Sequence, residues 1–245
     1  SEPMHQLYTE LAPLWPMLTD RETIAQEAHH LQELMDHAHG RRVSSILELG
    51  CGGGSLAAAF DSDRDVVLTD LAPEMLAVAQ KQNPHRRCVP GDMRTMRLPE
   101  TFDAVLLHDA VMYLTTPTDL HATIHTAAAH LGPGGVLIIV PDATKEQFVE
   151  RAVSGGRIGQ PGIQIMEWHW DPDPTDDTHQ LDLMVLHRDA DGTMNSMRES
   201  HTLGLFSAVA FIDAIRANGL TPLRDLLWDD ALFPEVFAGR KSNHG

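Results

Sequence analysis

Apolar residues recur at Ile24, Ala28, Leu31, Met35 and Ala38, three to four positions apart, and predict an amphipathic helix over 19–39. Thr19 and Glu22 stand in capping-box spacing at its start, and Gly40 stops it. The next apolar run, SSILEL at 44–49, is short and unbroken, the pattern of a strand buried on both faces, and it runs into glycines. Four more apolar runs follow at 65–70, 86–90, 102–109 and 136–140, with helical patterns at 73–82 and 117–131 between them. Strands that alternate with helices need right-handed crossovers, so this half of the chain predicts an α/β fold with a doubly wound parallel sheet. After Pro141 the period changes from helical to two. Runs at 163–170, 179–189 and 193–203 are joined by DPDPTDD and by DADG, a hairpin signal, and predict an antiparallel sheet inserted over 141–204. FSAVAFIDAIRAN at 206–218 returns to helix with Gly219 just past its end, and two short strands are expected near 223–228 and 233–238.

Composition narrows the function classes. Lys+Arg 18 against Asp+Glu 35 gives a net charge of −17, so a basic face for nucleic acid or for an anionic membrane surface is not expected. The start of the chain lacks a basic segment followed by an apolar one, and no apolar run approaches the roughly 18 residues that span a bilayer. Two Cys are too few for a disulfide framework, which leaves a cytoplasmic protein as the expectation.

The chemistry concentrates at the end of the first strand, in Glu48-Leu49-Gly50-Cys51-Gly52-Gly53-Gly54-Ser55. Glycines at 50, 52 and 54 allow positive φ and close approach of a ligand to the backbone. A G-x-G-x-x-G nicotinamide fingerprint counted from Gly50 fails at Ser55. The remaining pattern, E-x-G-x-G, resembles the first motif of class I S-adenosylmethionine-dependent methyltransferases. Asp70, twenty residues after Gly50, stands where that family holds the ribose hydroxyls, with Leu71 beside it for the adenine. Gly91-Asp92-Met93 is similar to the adenine clamp, and Leu107-His108-Asp109 to the motif beside the sulfonium. HLGPGGVLII at 130–139 resembles the family's turn and fifth strand. The resemblance implies a seven-stranded Rossmann-like sheet and S-adenosylmethionine bound by Glu48, Gly50, Cys51, Gly52, Asp70, Leu71, Asp92, Met93, Leu107 and His108. It divides the chain into an N-terminal helical lid (1–43), a cofactor-binding core (44–140 and 205–240) and the inserted sheet (141–204).

Methyl transfer to an amine or hydroxyl needs positioning and, for most acceptors, removal of a proton. His108 and Tyr113, in HDAVMYL after the fourth strand, and Tyr8 in the N-terminal segment are the candidates for that role. Tyr8 and Trp15 are expected to fold over the pocket as a lid, with Trp15, Trp168, His169 and His201 lining a substrate site. The histidine spacings fit no metal motif, and no metal is expected. The insertion resembles that of amino-sugar N,N-dimethyltransferases and glycine N-methyltransferase-like enzymes, which implies a small natural-product-type acceptor and an inserted sheet that either roofs the active site or forms the interface of a homodimer. In place of the Gly/Arg-rich stretch common there before the last strand, this chain has DDALFPEVF, and only Arg151, Arg157, Arg240 and Lys241 are candidates to meet a nucleoside diphosphate. A non-methylating reaction on the same fold and a non-catalytic cofactor-binding module stay open at this point.

Overall fold

The computed structural model describes residues 5–224, 226, 233 and 235–244. Two 3₁₀ segments, Gln6–Tyr8 and Ala12–Leu18, precede α1 (Arg21–His39). Asp20 caps α1, accepting from the N–H groups of Glu22 and Thr23, so the cap lies one residue beyond the expected Thr19, whose hydroxyl donates instead to the carbonyl of Trp15. Gly40 ends α1 at φ 86°, a left-handed position that glycine takes without strain.

The core elements then follow: β1 (Ser45–Leu49), α2 (Ser55–Ala58), β2 (Asp65–Asp70), α3 (Pro73–Gln82), β3 (Arg87–Pro90), β4 (Phe102–Leu107), α4 (Pro117–Ala129) and β5 (Leu131–Ile139). An antiparallel sheet of β6 (Arg151–Arg157), β7 (Gly162–Trp170), β8 (Thr178–Arg188) and β9 (Met194–Gly204) comes next, and α5 (Ala208–Ala217), β10 (Thr221–Pro222) and β11 (Phe237–Arg240) complete the core. The large sheet has the order β10-β11-β5-β4-β1-β2-β3, with β11 antiparallel to β5. The doubly wound α/β fold with an inserted antiparallel sheet is the one expected. The last two strands sit differently: β10 is shorter and earlier than 223–228, of which 225, 227 and 228 lie outside the described residues, and β11 begins four residues after 233.

Alternate residues of each central strand feed two cores. Ile46, Leu68, Ala104, Leu106 and Ile138 pack under α1, α2 and α3, while Leu47, Leu49, Val105, Leu107 and Ile139 pack under α4 and α5. Helix α1 is thus a layer of the core, which leaves the 3₁₀ stretch before it as the part of the expected lid that lies outside that core. That stretch joins two further clusters: Leu7 and Leu11 pack on Leu181, Leu183 and Leu203 of the inserted sheet, and Ala12 packs on Met75 and Val78 of α3. It therefore bridges the cofactor half of the core and the underside of the inserted sheet. No helix among the described residues is long and apolar enough to cross a membrane.

Candidate functional site

The site forms where β1, β2 and β4 end, because a parallel sheet leaves loop N–H groups and helix N-termini at the carboxyl ends of its strands. Gly50, Gly52 and Gly54 all have positive φ (69°, 55° and 76°). A Cβ on Gly50 would lie 2.2 Å from Cβ of Ala110, so only glycine lets the β1 and β4 loops approach this closely. The carboxylate of Asp70 accepts from the N–H of Gly52 at 2.8 Å and of Ala72 at 2.9 Å, which ties the glycine loop to the tip of β2. Burial pushes its pKa up against those backbone donors. Leu71, next to it, is 57% exposed and faces no core.

Glu48 is the most unusual group in the cradle. It is buried, its Oε2 has no hydrogen-bond partner, and its pKa is pushed up to about 8, first by burial and then by Asp109 and Asp70. An orphaned buried carboxyl is costly unless it is protonated or meets a cation. S-adenosylmethionine carries a sulfonium and an ammonium group, so the groups here fit it: the Asp70 carboxylate to accept from the ribose hydroxyls, the glycine loop for close approach, and Glu48 for the positive charge.

Asp92 is held by Arg94 at 2.8 Å, which also reaches Asp119 at 3.4 Å, and this guanidinium keeps the Asp92 carboxyl below its usual range. Met93 borders the cradle, its Sδ at 4.0 Å from where a Cβ on Gly50 would be. Cys51 donates its N–H to the carbonyl of Thr69, and burial holds its thiol protonated, as it does that of the other free thiol, Cys88. The side chain of Leu107 is fully buried in the α4/α5 core, so that residue brings only its backbone, whose carbonyl accepts from Val140.

Beyond the cradle a polar cavity of about 270 Å³ is lined by Glu27, His108, Asp109, Asp142 and Phe233. His108 stands 3.5 Å from Asp109 and edge-on to Phe233. Glu27, from α1, was not apparent from the sequence as a site residue; burial raises its pKa there. The lid supplies Tyr8 and Trp15, whose rings lie 5.5 Å apart, and Tyr8 meets Tyr113 edge-on at 5.5 Å. Trp15 is on the cofactor side of the lid: a Cβ on Gly53 would be 2.9 Å from its ring. Tyr8 and Tyr113 are thus brought together under the inserted sheet, while His108 faces the neighbouring cavity.

On the inserted sheet, His169 and His201 point inward and are buried. Trp168 belongs to the opposite face; it is 56% exposed and its indole N–H donates to Glu150. Strand alternation separates it from His169, so Trp168 does not line the pocket that contains His201. Glu167 and Glu199 are inward-facing residues that motif reading missed, although Glu-Trp-His at 167–169 and Glu-Ser-His at 199–201 share the i, i+2 spacing that puts both polar groups on one face.

Residues 46–135 match the family described as "Methyltransferase domain". The chain is 28% identical over 198 residues to dTDP-3-amino-3,6-dideoxy-alpha-D-glucopyranose N,N-dimethyltransferase of Streptomyces fradiae, covering 80% of this chain and 77% of the relative. Among solved structures, CalS10 of Micromonospora echinaspora, an amino pentose methyltransferase with S-adenosylmethionine bound, superposes with a TM-score of 0.77 at 26% identity over 99% of both chains. Streptomyces venezuelae DesVI shares the fold with a TM-score of 0.80 at 24% identity, over 99% of this chain and 100% of its own.

Proposed function

We propose that the chain is a class I S-adenosylmethionine-dependent methyltransferase that N-methylates, and by repetition N,N-dimethylates, an amino sugar carried on a nucleoside diphosphate. The observation that carries this is the extent of the likeness. The match to the Streptomyces fradiae relative takes in most of both chains, and that to CalS10 takes in nearly all of both. Those spans leave room for the inserted sheet and lid as well as the cofactor core, and it is these parts that choose the acceptor.

The cofactor supplies a methyl group on a positively charged sulfur, and the reaction discharges that centre. The chain's residues supply the rest. Asp70 and the glycine loop fix the cofactor, Trp15 covers the loop, and Tyr8 and Tyr113 present phenols where the acceptor meets the inserted sheet. Acidic groups around the pocket, Glu27, Asp109 and Asp142 in the cavity with Glu167 and Glu199 above, favour a cationic amine over a neutral hydroxyl. Steady-state assays with dTDP-3-amino-3,6-dideoxyglucose and its 3-hydroxy counterpart test this choice. Turnover is expected with the amine alone, and equal turnover of the hydroxyl compound would refute it.

Of the four cations considered for the diphosphate, Arg151 is the one beside the pocket. It pairs with Asp142, a cavity residue, at 2.5 Å. Arg240 and Lys241 sit at the far end of the sheet on backbone carbonyls of Gly134, Ala128 and Leu131, and Arg157 is at the distal end of β6. Arg151→Ala is expected to raise KM for the nucleotide sugar about tenfold, the loss of one charge-assisted contact, and to leave cofactor affinity unchanged. An unchanged KM would remove Arg151 from the acceptor site.

The homodimer belongs to the same proposal. The outer face of the inserted sheet exposes Met166, Trp168, Met184 and Leu186, an apolar surface of the kind that marks an interface. Sedimentation equilibrium is expected to give a dimer that Trp168→Glu with Met184→Glu converts to monomer. Cytoplasmic residence is supported by the two unpaired thiols.

A further inference from the structure

The underside of the inserted sheet carries two rows of residues that the cofactor and lid do not explain. Register aligns Glu167, Leu183 and Glu199 across β7, β8 and β9, and the next inward row aligns His169, Leu181 and His201. The two strands that flank β8, β7 and β9, therefore each present a Glu-His pair, and the two pairs flank a leucine floor about 10 Å wide, twice the strand spacing. On β7, His169 Nε2 is 3.2 Å from Glu167. On β9, His201 Nε2 is 3.6 Å from Glu199 Oε2, and neither ring nitrogen of His201 makes a hydrogen bond although the residue is fully buried. Burying an imidazole with both nitrogens unpartnered costs stability, and such a cost is typical of a group kept for a function.

The surroundings indicate which function. Tyr8 and Tyr113 approach the His201 ring at 5.9 and 6.4 Å between centroids, and His5 stacks on it at 3.6 Å. Glu199 also accepts the N–H groups of Gln6 and Leu7, so the same carboxylate fastens the lid. The phenol of Tyr113 feels both Glu167 and Glu199, which add to burial in keeping it protonated. A ring of phenols backed by two carboxylates attracts an ammonium ion. The same carboxylates raise the pKa of that ammonium, so a site that only attracted it would hold the amine in its unreactive form. A proton acceptor of lower charge nearby relieves this, and His201 is placed to be one: burial and the neighbouring His5 lower its pKa and favour the neutral ring, while Glu199 favours its charged form once a proton arrives.

We propose that His201 and Glu199 form the dyad that receives, through the Tyr113 hydroxyl, the proton lost by the acceptor ammonium before each methyl transfer. This rests on the amine-acceptor assignment above. In the step, an N–H bond of the ammonium breaks and the proton joins the phenolic oxygen, while the phenol's own proton moves to His201. Neutral amine, neutral phenol and an imidazolium beside the Glu199 carboxylate result. The freed nitrogen lone pair is the nucleophile, and the imidazolium returns its proton to solvent before the next cycle. Tyr113 touches the acceptor; His201 and Glu199 are positioning and proton-holding residues. The charged and titratable groups facing the dyad are His5, Tyr8 and Tyr113, with Glu167 and His169 across the floor.

His201→Phe keeps the ring stack on His5 but takes no proton, and Glu199→Gln keeps an acceptor for the lid N–H groups. Both are expected to bind S-adenosylmethionine as the parent does, with kcat on dTDP-3-amino-3,6-dideoxyglucose lower by on the order of 100-fold. Their rate should climb tenfold per pH unit across pH 6–9, where the parent levels off, because bulk hydroxide must then remove the proton. A parent-like pH profile with kcat within threefold in both variants overturns the dyad. Absence of turnover by the parent would count against the amino-sugar assignment instead. The dyad is then judged by nuclear magnetic resonance of the whole protein with dimethylammonium chloride as probe: His201 ring signals should shift on titration, and unmoved signals overturn it.

Discussion

Asp70→Ala is expected to weaken S-adenosylmethionine binding by about 100-fold or more, measured by titration calorimetry. The carboxylate does two things that alanine cannot. It accepts the Gly52 and Ala72 N–H groups, at 2.8 and 2.9 Å, and so shapes the glycine loop, and its remaining lone pairs are free for ribose hydroxyls. A hydrogen bond to a charged group contributes about 1.5–3 kcal/mol, so losing two ribose contacts costs about 3–6 kcal/mol, and each 1.4 kcal/mol is tenfold in affinity. Asp70→Asn keeps one acceptor and should fall between. A Kd within threefold of the parent for Asp70→Ala would mean the ribose is held elsewhere.

The second large effect is a proton released on cofactor binding. With its pKa pushed up to about 8, the Glu48 carboxyl is about nine-tenths protonated at pH 7 in the free protein. A cation arriving beside it favours the carboxylate, so binding near neutrality should expel close to one proton. Calorimetry in two buffers of different ionisation enthalpy measures this directly. The observed enthalpies should differ for the parent and coincide for Glu48→Gln; equal enthalpies in the parent would show that Glu48 stays protonated. The same shift sets how stability varies with pH. A carboxyl whose pKa is higher folded than unfolded stabilises the native state fully below its unfolded value, near 4.5, and loses that contribution as pH rises through about 8. The melting temperature of the free protein should therefore decline across that window, and less so in Glu48→Gln.

Local pattern carried most of the fold. β2 and α3 begin and end where the apolar run DVVLTD and the helical PEMLAVAQKQ do, because each is bounded by its own signals, a Pro at the first turn of α3 among them. β6 was not foreseen: RAVSGGR has two glycines, two arginines and little alternation, and it is a strand because β7 offers it an edge. β5 runs back through Gly132, Pro133, Gly134 and Gly135, which read as a turn, since pairing to β4 shifts register there and admits them. The cofactor cradle was legible because its chemistry sits in short contiguous motifs. The acceptor side was not, because Glu167, Glu199 and Glu27 come from three distant elements and acquire meaning only through strand register and the packing of α1. Trp168 shows the same limit in reverse, since adjacency to His169 in sequence places it on the other face of the sheet.

The most direct test of the enzyme proposed here is the product formed from dTDP-3-amino-3,6-dideoxyglucose with excess methyl-labelled S-adenosylmethionine, followed by mass spectrometry and nuclear magnetic resonance. The account predicts a gain of two labelled methyl groups, both on the sugar nitrogen, with two equivalents of S-adenosylhomocysteine released. Label on a sugar oxygen, or a bound cofactor that is never consumed, would contradict it.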